Sequence, residues 1–336
     1  MSFRPLIVVG GIALDITATT QSVKNFLHTS TVGHVRQSLG GVGRNICESA
    51  FRAGAPCQLL TVIGDDPPGQ ILKQGLQDVG MTTDLLCTLP GQASAVYNAF
   101  HTNDGQLLAA VADMAIFDQM DLSQVKSVFQ DLEPSLVCFD GNIAPKAMVD
   151  LTKTSRSMGI PVFFEPTSIP KSVKIFDGLV DTRAIWYTSP NQYELEAMAS
   201  HCTKPSIART KLPDIDPSRL PLLAQQMLEP AWLLSHTIPH VITKLGDQGC
   251  LYVSHVTNAI AHLPAETVDP STIQSVTGAG DSFVGVVLAN LRQDPWIQDV
   301  NTWVKVLASG QKAAVRTLQS QRSVGPSIAP DLLVSV

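Results

Sequence analysis

Short apolar runs alternate along the chain with segments whose apolar residues recur every three to four positions, and this rhythm predicts the architecture. Residues 5–9 read as a buried strand ending at Gly10-Gly11, and residues 57–63 as a second, ending at Gly64-Asp65-Asp66. A helix follows, opened by Pro67-Pro68, carrying Ile71, Leu72, Leu76 and Val79 on one face and stopped by Gly80. Further strands are expected at 135–139, 161–164 and 184–187, with helices near 145–158 and 191–202 between them. Two helices over about 281–291 and 300–318 complete the pattern. Strands without polar alternation, separated by helices, indicate an α/β, mainly parallel sheet covered on both faces.

Two stretches break the rhythm. Residues 12–38 hold two half-exposed strand patterns, and residues 94–111 read as a hairpin turned at Asn103-Asp104-Gly105. Strands that do not fit the parallel sheet predict a small antiparallel flap over it. The proline-rich segment 203–217 reads as a surface loop.

Composition narrows the class. Of 336 residues, 44% are hydrophobic and 15% charged, which suits a compact globule. The net charge of -6 and the lack of a Lys/Arg run argue against nucleic acid as a partner. Apolar runs such as 6–9 and 284–289 are too short to span a bilayer, so no membrane partner is expected. The N-terminus passes from one arginine straight into a strand-like run, and no targeting segment is read there; the expected location is cytoplasmic. Six scattered cysteines without a C-x-x-C pair read as buried reduced thiols.

Four glycine-bearing segments are candidates for chemistry. Gly40-Gly41-Val42-Gly43-Arg44-Asn45 completes neither a dinucleotide fingerprint nor a P-loop, but it lets a ligand approach backbone amides, and Asn45 can both give and accept hydrogen bonds. Taken alone, a tight turn before a packed helix is the plainer explanation. Thr277-Gly278-Ala279-Gly280-Asp281 opens a helix with small residues, leaving amide donors and the positive end of the dipole free for an anion. Asp281 at its mouth can take a proton from an attacking hydroxyl, although the same dipole is expected to weaken it as a base. The segment from Lys244 to Gly249 is explained by a hairpin turn alone. Asn191 and Glu194 have the spacing of a helix capping pair, or of a polar pair reaching phosphate or metal-bound water.

In this order, with Gly54 and Gly64 after the first segment and Ser275-Val276 before the second loop, the chain resembles the ribokinase-like (PfkB) carbohydrate kinase family. The resemblance implies a doubly wound α/β kinase domain over residues 1–336, with a β-lid inserted at about 12–38 and 94–111. It also implies ATP and Mg2+, a small-molecule sugar or nucleoside acceptor, and a homodimer formed through the lid. Carried over residue by residue, Asp281 resembles the catalytic base, and Gly278, Ala279 and Gly280 resemble the anion hole. Asp15, Gly41, Gly43 and Asn45 resemble acceptor ligands. Asn191 and Glu194 resemble the phosphate–Mg2+ pair, and Lys244, Gly246, Gly249, Thr277 and Ser309 nucleotide contacts. Ser275 departs from the family's common aspartate, which leaves a monovalent-cation requirement open.

Within the family, Ser275 to Ser282, Phe164-Glu165-Pro166-Thr167-Ser168 and Val111-Ala112-Asp113-Met114 are most similar to the branch acting on pseudouridine. The expected reaction is phosphorylation of its 5′-hydroxyl; ribose, a ketohexose or another nucleoside are the alternative acceptors, and a catalytically silent ligand-binding homologue is the rival class. A uracil needs a few fixed donors and acceptors in an apolar slot, for which Asn98, Asp113, Asn142, Glu165 and Thr167 are candidates. Each reads equally as a loop cap or turn former.

Overall fold

The computed structural model describes residues 4–20, 30–202, 212–213 and 216–335. Strand β1 (Leu6–Val9) leads into the lid strands β2 (Ala13–Thr20) and β3 (Gly33–Gly40). Helix α1 (Val42–Arg52), β4 (Cys57–Gly64), α2 (Pro67–Val79) and β5 (Leu86–Leu89) return to the main sheet before the chain re-enters the lid as β6 (Val96–Thr102) and β7 (Leu107–Asp113). Then α3 (Val125–Leu132), β8 (Leu136–Asp140), α4 (Pro145–Ser157), β9 (Val162–Glu165), the short α5 (Ile169–Ser172), β10 (Ile185–Thr188) and α6 (Gln192–Ser200) alternate. The chain closes with α7 (Leu222–Ser235), β11 (His240–Lys244), β12 (Cys250–Ser254), β13 (Ala259–Leu263), α8 (Ala279–Leu291) and α9 (Val300–Leu318).

The main sheet has nine strands in the order β13-β12-β11-β10-β9-β8-β1-β4-β5. Pairing is parallel from β5 to β11 and antiparallel for β12 and β13. Its central strands β1, β8 and β9 are almost wholly apolar and buried because helices cover both faces. Ile7, Val9, Val137, Phe139, Val162 and Phe164 enter the core on one side. Leu6, Val8, Leu136, Cys138 and Phe163 enter the one on the other, with Phe283 and Trp303 from α8 and α9. The helix predicted from Pro67 has those bounds: Asp66 accepts from the Gly69 amide, and Gly80 ends it at φ 89°.

The lid is a second sheet in the order β3-β2-β6-β7. It is not the antiparallel flap expected, because its central pair, β2 and β6, is parallel. The chain leaves the lid after β3, passes through α1, β4, α2 and β5, and comes back pointing the same way, as a parallel neighbour requires. The outer strand β7 is exposed along its whole length, Val111 at 68% and Leu107 at 56%.

The loop expected at 203–217 lies outside the described residues except for Leu212, Pro213, Asp216 and Pro217, and so does the part of the first lid insertion at 21–29. All six cysteines are free; Cys47, Cys138, Cys202 and Cys250 are buried as expected, whereas Cys87 is exposed on the edge strand β5 and Cys57 is half-buried. No described helix is long and apolar enough to cross a membrane.

Candidate active site

The parallel strands deliver their C-terminal ends to one edge of the sheet, where ligands of such folds sit. Strand β1 ends there at Gly10-Gly11, and α1 begins beside it. Gly41 caps α1 at φ 92°, and a Cβ there would come within 2.5 Å of the Gly11 carbonyl, so only glycine fits. The Arg44 amide donates to that carbonyl at 3.0 Å. The buried Arg44 guanidinium donates to the Gly40 and Leu39 carbonyls and pairs with Glu48 at 2.5 Å, fastening the base of lid strand β3 to α1. Arg52 binds the other Glu48 oxygen at 2.8 Å.

Asp140, at the end of β8, is the hub of this region. Its fully buried carboxylate accepts from the amides of Gly11 (2.9 Å), Gly43 (2.8 Å) and Asn142 (2.9 Å), and from the Asn142 side chain (2.9 Å). One acid therefore ties two glycine loops together. Burial raises its carboxyl above the ordinary range, and the four donors pull the other way. Sequence reasoning missed Asp140; its signal was an acid closing a wholly apolar strand.

The second loop approaches from the far end of the sequence. Gly278 starts α8 at φ 78°, backed so closely by the Ser323 carbonyl that a Cβ has no room. No side chain caps α8, which leaves amides at its start open to a ligand, although that of Ala279 donates to the Val276 carbonyl at 3.4 Å. The Asn45 amide donates to Asp281 Oδ2 at 2.7 Å, which joins the two loops. Asn45 Oδ1 is buried and has no partner. The Asp281 carboxyl is pushed up to about 6, first by burial, then by Glu165 and Asp140; the Asn45 hydrogen bond and Lys244 oppose this. This upward shift runs in the opposite direction to the one expected of the helix dipole taken alone.

Lys244, ending β11, pairs with the buried Glu165 of β9 at 2.8 Å. The second Glu165 oxygen accepts from the Ser189 hydroxyl. Burial pulls the Lys244 ammonium down, but Glu165, Glu194 and Asp281 outweigh it and the net shift is upward. Gly246 and Gly249 make the turn of the β11–β12 hairpin, with Leu245 donating to the Gly249 carbonyl at 2.8 Å. Asn191 and Glu194 form a full capping box: Asn191 Oδ1 accepts from the Glu194 amide (2.9 Å) and Glu194 Oε2 from the Asn191 amide (2.8 Å). This cap sets Asn191 in a parallel bridge with Lys244. Asn191→Ala is expected to cost about 1 kcal/mol of stability through the lost cap, read as a lowered denaturation midpoint; an unchanged midpoint would show the cap to be idle.

The remaining candidates divide. Asp15 lies in β2 with its carboxyl pushed up to about 6 by burial, Arg44 opposing. Asn142 is held by Asp140 and by the Lys171 ammonium, 2.6 Å from its Oδ1. Thr167 sits at φ 70°, rare for a β-branched residue, with its hydroxyl accepting from the Gly141 amide at 3.0 Å. Glu165 has both oxygens engaged beside Lys244 and is not placed with the lid residues. Strand register sets Asp15 on the lid face of Tyr97 and Ser38, and Asn98 and Asp113 on the opposite face. The structure therefore does not bring Asn98 or Asp113 together with Asp15. Thr277 is exposed, its amide bonded to Ser275 Oγ at 3.2 Å. Ser309 is no part of the site: it is buried between α8 and α9, donating to the Val306 carbonyl (2.7 Å) and accepting from Asn290 (3.1 Å).

A family model described as pfkB family carbohydrate kinase matches residues 4–328. The chain is 27% identical to a pseudouridine-metabolizing bifunctional protein of Schizosaccharomyces pombe over 96% of its own length, and spans 47% of the length of that relative. It is 24% identical to a pseudouridine kinase of Escherichia coli, with 83% of this chain and 81% of that one covered. A ribokinase of Arabidopsis thaliana, solved with ribose and ATP, superposes with a TM-score of 0.76 at 17% identity, covering 99% of each chain.

Proposed function

Since the chain belongs to the pfkB family of carbohydrate kinases, we propose that it transfers the γ-phosphoryl group of ATP to the 5′-hydroxyl of pseudouridine. The observation that carries the transfer reading is the Asn45–Asp281 hydrogen bond at 2.7 Å, which sets a raised-pKa carboxylate beside an unsatisfied buried acceptor. A hydroxyl entering here finds Asn45 Oδ1 to receive a hydrogen bond from the sugar and Asp281 to receive the reacting proton. The hydroxyl oxygen forms its bond to the γ-phosphorus as the bond to the β,γ-bridging oxygen breaks, and ADP leaves. The first amides of α8 stabilise the charge on the phosphoryl oxygens. Asp15 and the Gly41 backbone hold the sugar from the lid side.

Among the described residues no group of three acids, histidines or cysteines cages a metal. Mg2+ keeps water and phosphate ligands and takes few from protein, so the test of fit is a pair of oxygen-bearing side chains at the phosphate side. Glu194 and Asn191 are the residues to hold its water, and Mg2+ when bound neutralises phosphate charge. The exposed leucines and valines of the lid support a homodimer through that sheet.

Pseudouridine as acceptor rests on the two relatives named for it. A panel of pseudouridine, uridine, adenosine, ribose and fructose with Mg-ATP decides the point. The highest kcat/KM is expected for pseudouridine. An equal or higher value for another acceptor replaces it, and no turnover on any leaves a ligand-binding homologue.

A further inference from the structure

We infer that Lys244 is a second catalytic residue, donating two N–H groups to the transferring phosphoryl group, with Glu165 as its positioning residue; this rests on the kinase reading and not on the acceptor. The ammonium stands over the start of α8: a Cβ placed on Gly280 would lie 3.9 Å from Nζ. An ammonium has three donors. Glu165 is the one hydrogen-bond partner it has among the described residues, which leaves two N–H groups for a ligand.

Glu165 is itself locked, since Ser189 donates to its other oxygen and 3% of its surface is exposed. The pair therefore fixes a positive charge at the start of α8, near Asp281, to meet the negative charge that the phosphoryl oxygens gain under the kinase reading. Asp281 lies near enough to feel the ammonium, which lowers its carboxyl while Glu165 raises it. Fold stability does not account for the arrangement, because a buried ion pair returns little more than its desolvation cost. Lys244 keeps its proton throughout; the acceptor proton goes to Asp281.

The test must separate a phosphoryl contact from simple neutralisation of Glu165. Lys244→Met alone orphans a buried carboxylate and can fail to fold, so the double variant Lys244→Met/Glu165→Gln is made beside it. Binding of Mg-ADP and of the Mg-complexed β,γ-imido analogue of ATP is measured by calorimetry, with no acceptor present. The double variant is expected to bind ADP within about twofold of wild type and the analogue at least tenfold more weakly. Lys244→Arg is expected to recover part of that loss. A double variant that binds the analogue as well as wild type overturns the proposal, since Lys244 would then serve only Glu165. Failure of the wild type to phosphorylate pseudouridine removes the acceptor alone, because no acceptor enters the measurement. A wild type that binds neither nucleotide removes the kinase reading and this inference with it.

Discussion

Replacement of Asp281 by asparagine is expected to lower kcat by about 10²–10⁴-fold, the range of a positioned acid–base group, with little change in KM. Asparagine keeps the shape and can still accept from Asn45, so the acceptor should bind; it cannot take the proton. The wild-type pH profile provides a second reading. With its carboxyl near 6, Asp281 is ionised at pH 7, and kcat/KM is expected to fall below about pH 6, an acid limb absent from the variant's residual rate. The sign for stability is the reverse of that for activity. Folding raises this carboxyl from 3.8 to about 6, so the folded state favours its protonated form. Its ionised form burdens the fold at pH 7, and that burden lifts as pH falls from about 6 towards 4. The variant should therefore melt higher than wild type at pH 7, with the gap closing at pH 4–5. Near-normal turnover, or a variant that melts lower at pH 7, would reject the assignment.

The second large effect is expected at Asp140. Alanine there leaves the amides of Gly11, Gly43 and Asn142 without their acceptor in a region with no exposed surface at the carboxylate. An orphaned buried donor costs about 1–3 kcal/mol, so the three together are expected to remove about 3 kcal/mol or more. Chemical denaturation at neutral pH measures it. Because the same bonds hold both glycine loops in place, KM for the acceptor should rise with the loss of stability. A variant with an unchanged midpoint would show that solvent satisfies those amides.

The parts of this molecule legible in the sequence are those set by local rules. The helix Pro67–Val79 carries its proline start and glycine stop in its own residues, and the Asn191–Glu194 cap is written in four positions. The buried strands announce themselves as apolar runs because both sheet faces are covered. What escaped depends on partners distant along the chain. Asp140 reads as the last residue of a strand until the fold sets two glycine loops against it. The raised carboxyl of Asp281 turns on burial beside Glu165 and Asp140, neighbours that its own helix does not reveal. Asn98 and Asp113 look like lid ligands in one dimension, yet the pleat turns them away from Asp15. The parallel pairing of β2 with β6 was equally hidden, since it follows from a detour of the chain through the main sheet.

The hydrogen bond between Asn45 and Asp281 spans 236 positions of sequence, and this has a consequence during synthesis. The partners of Asp140 all lie in the first half of the chain, so its hydrogen bonds to Gly11, Gly43 and Asn142 come within reach early. The base, the amide cradle and Lys244 follow only near the end. Until α8 has emerged, Asn45 has no Asp281 to meet and α1 lacks the helix it packs against, so the two glycine loops can come together only when synthesis is nearly complete.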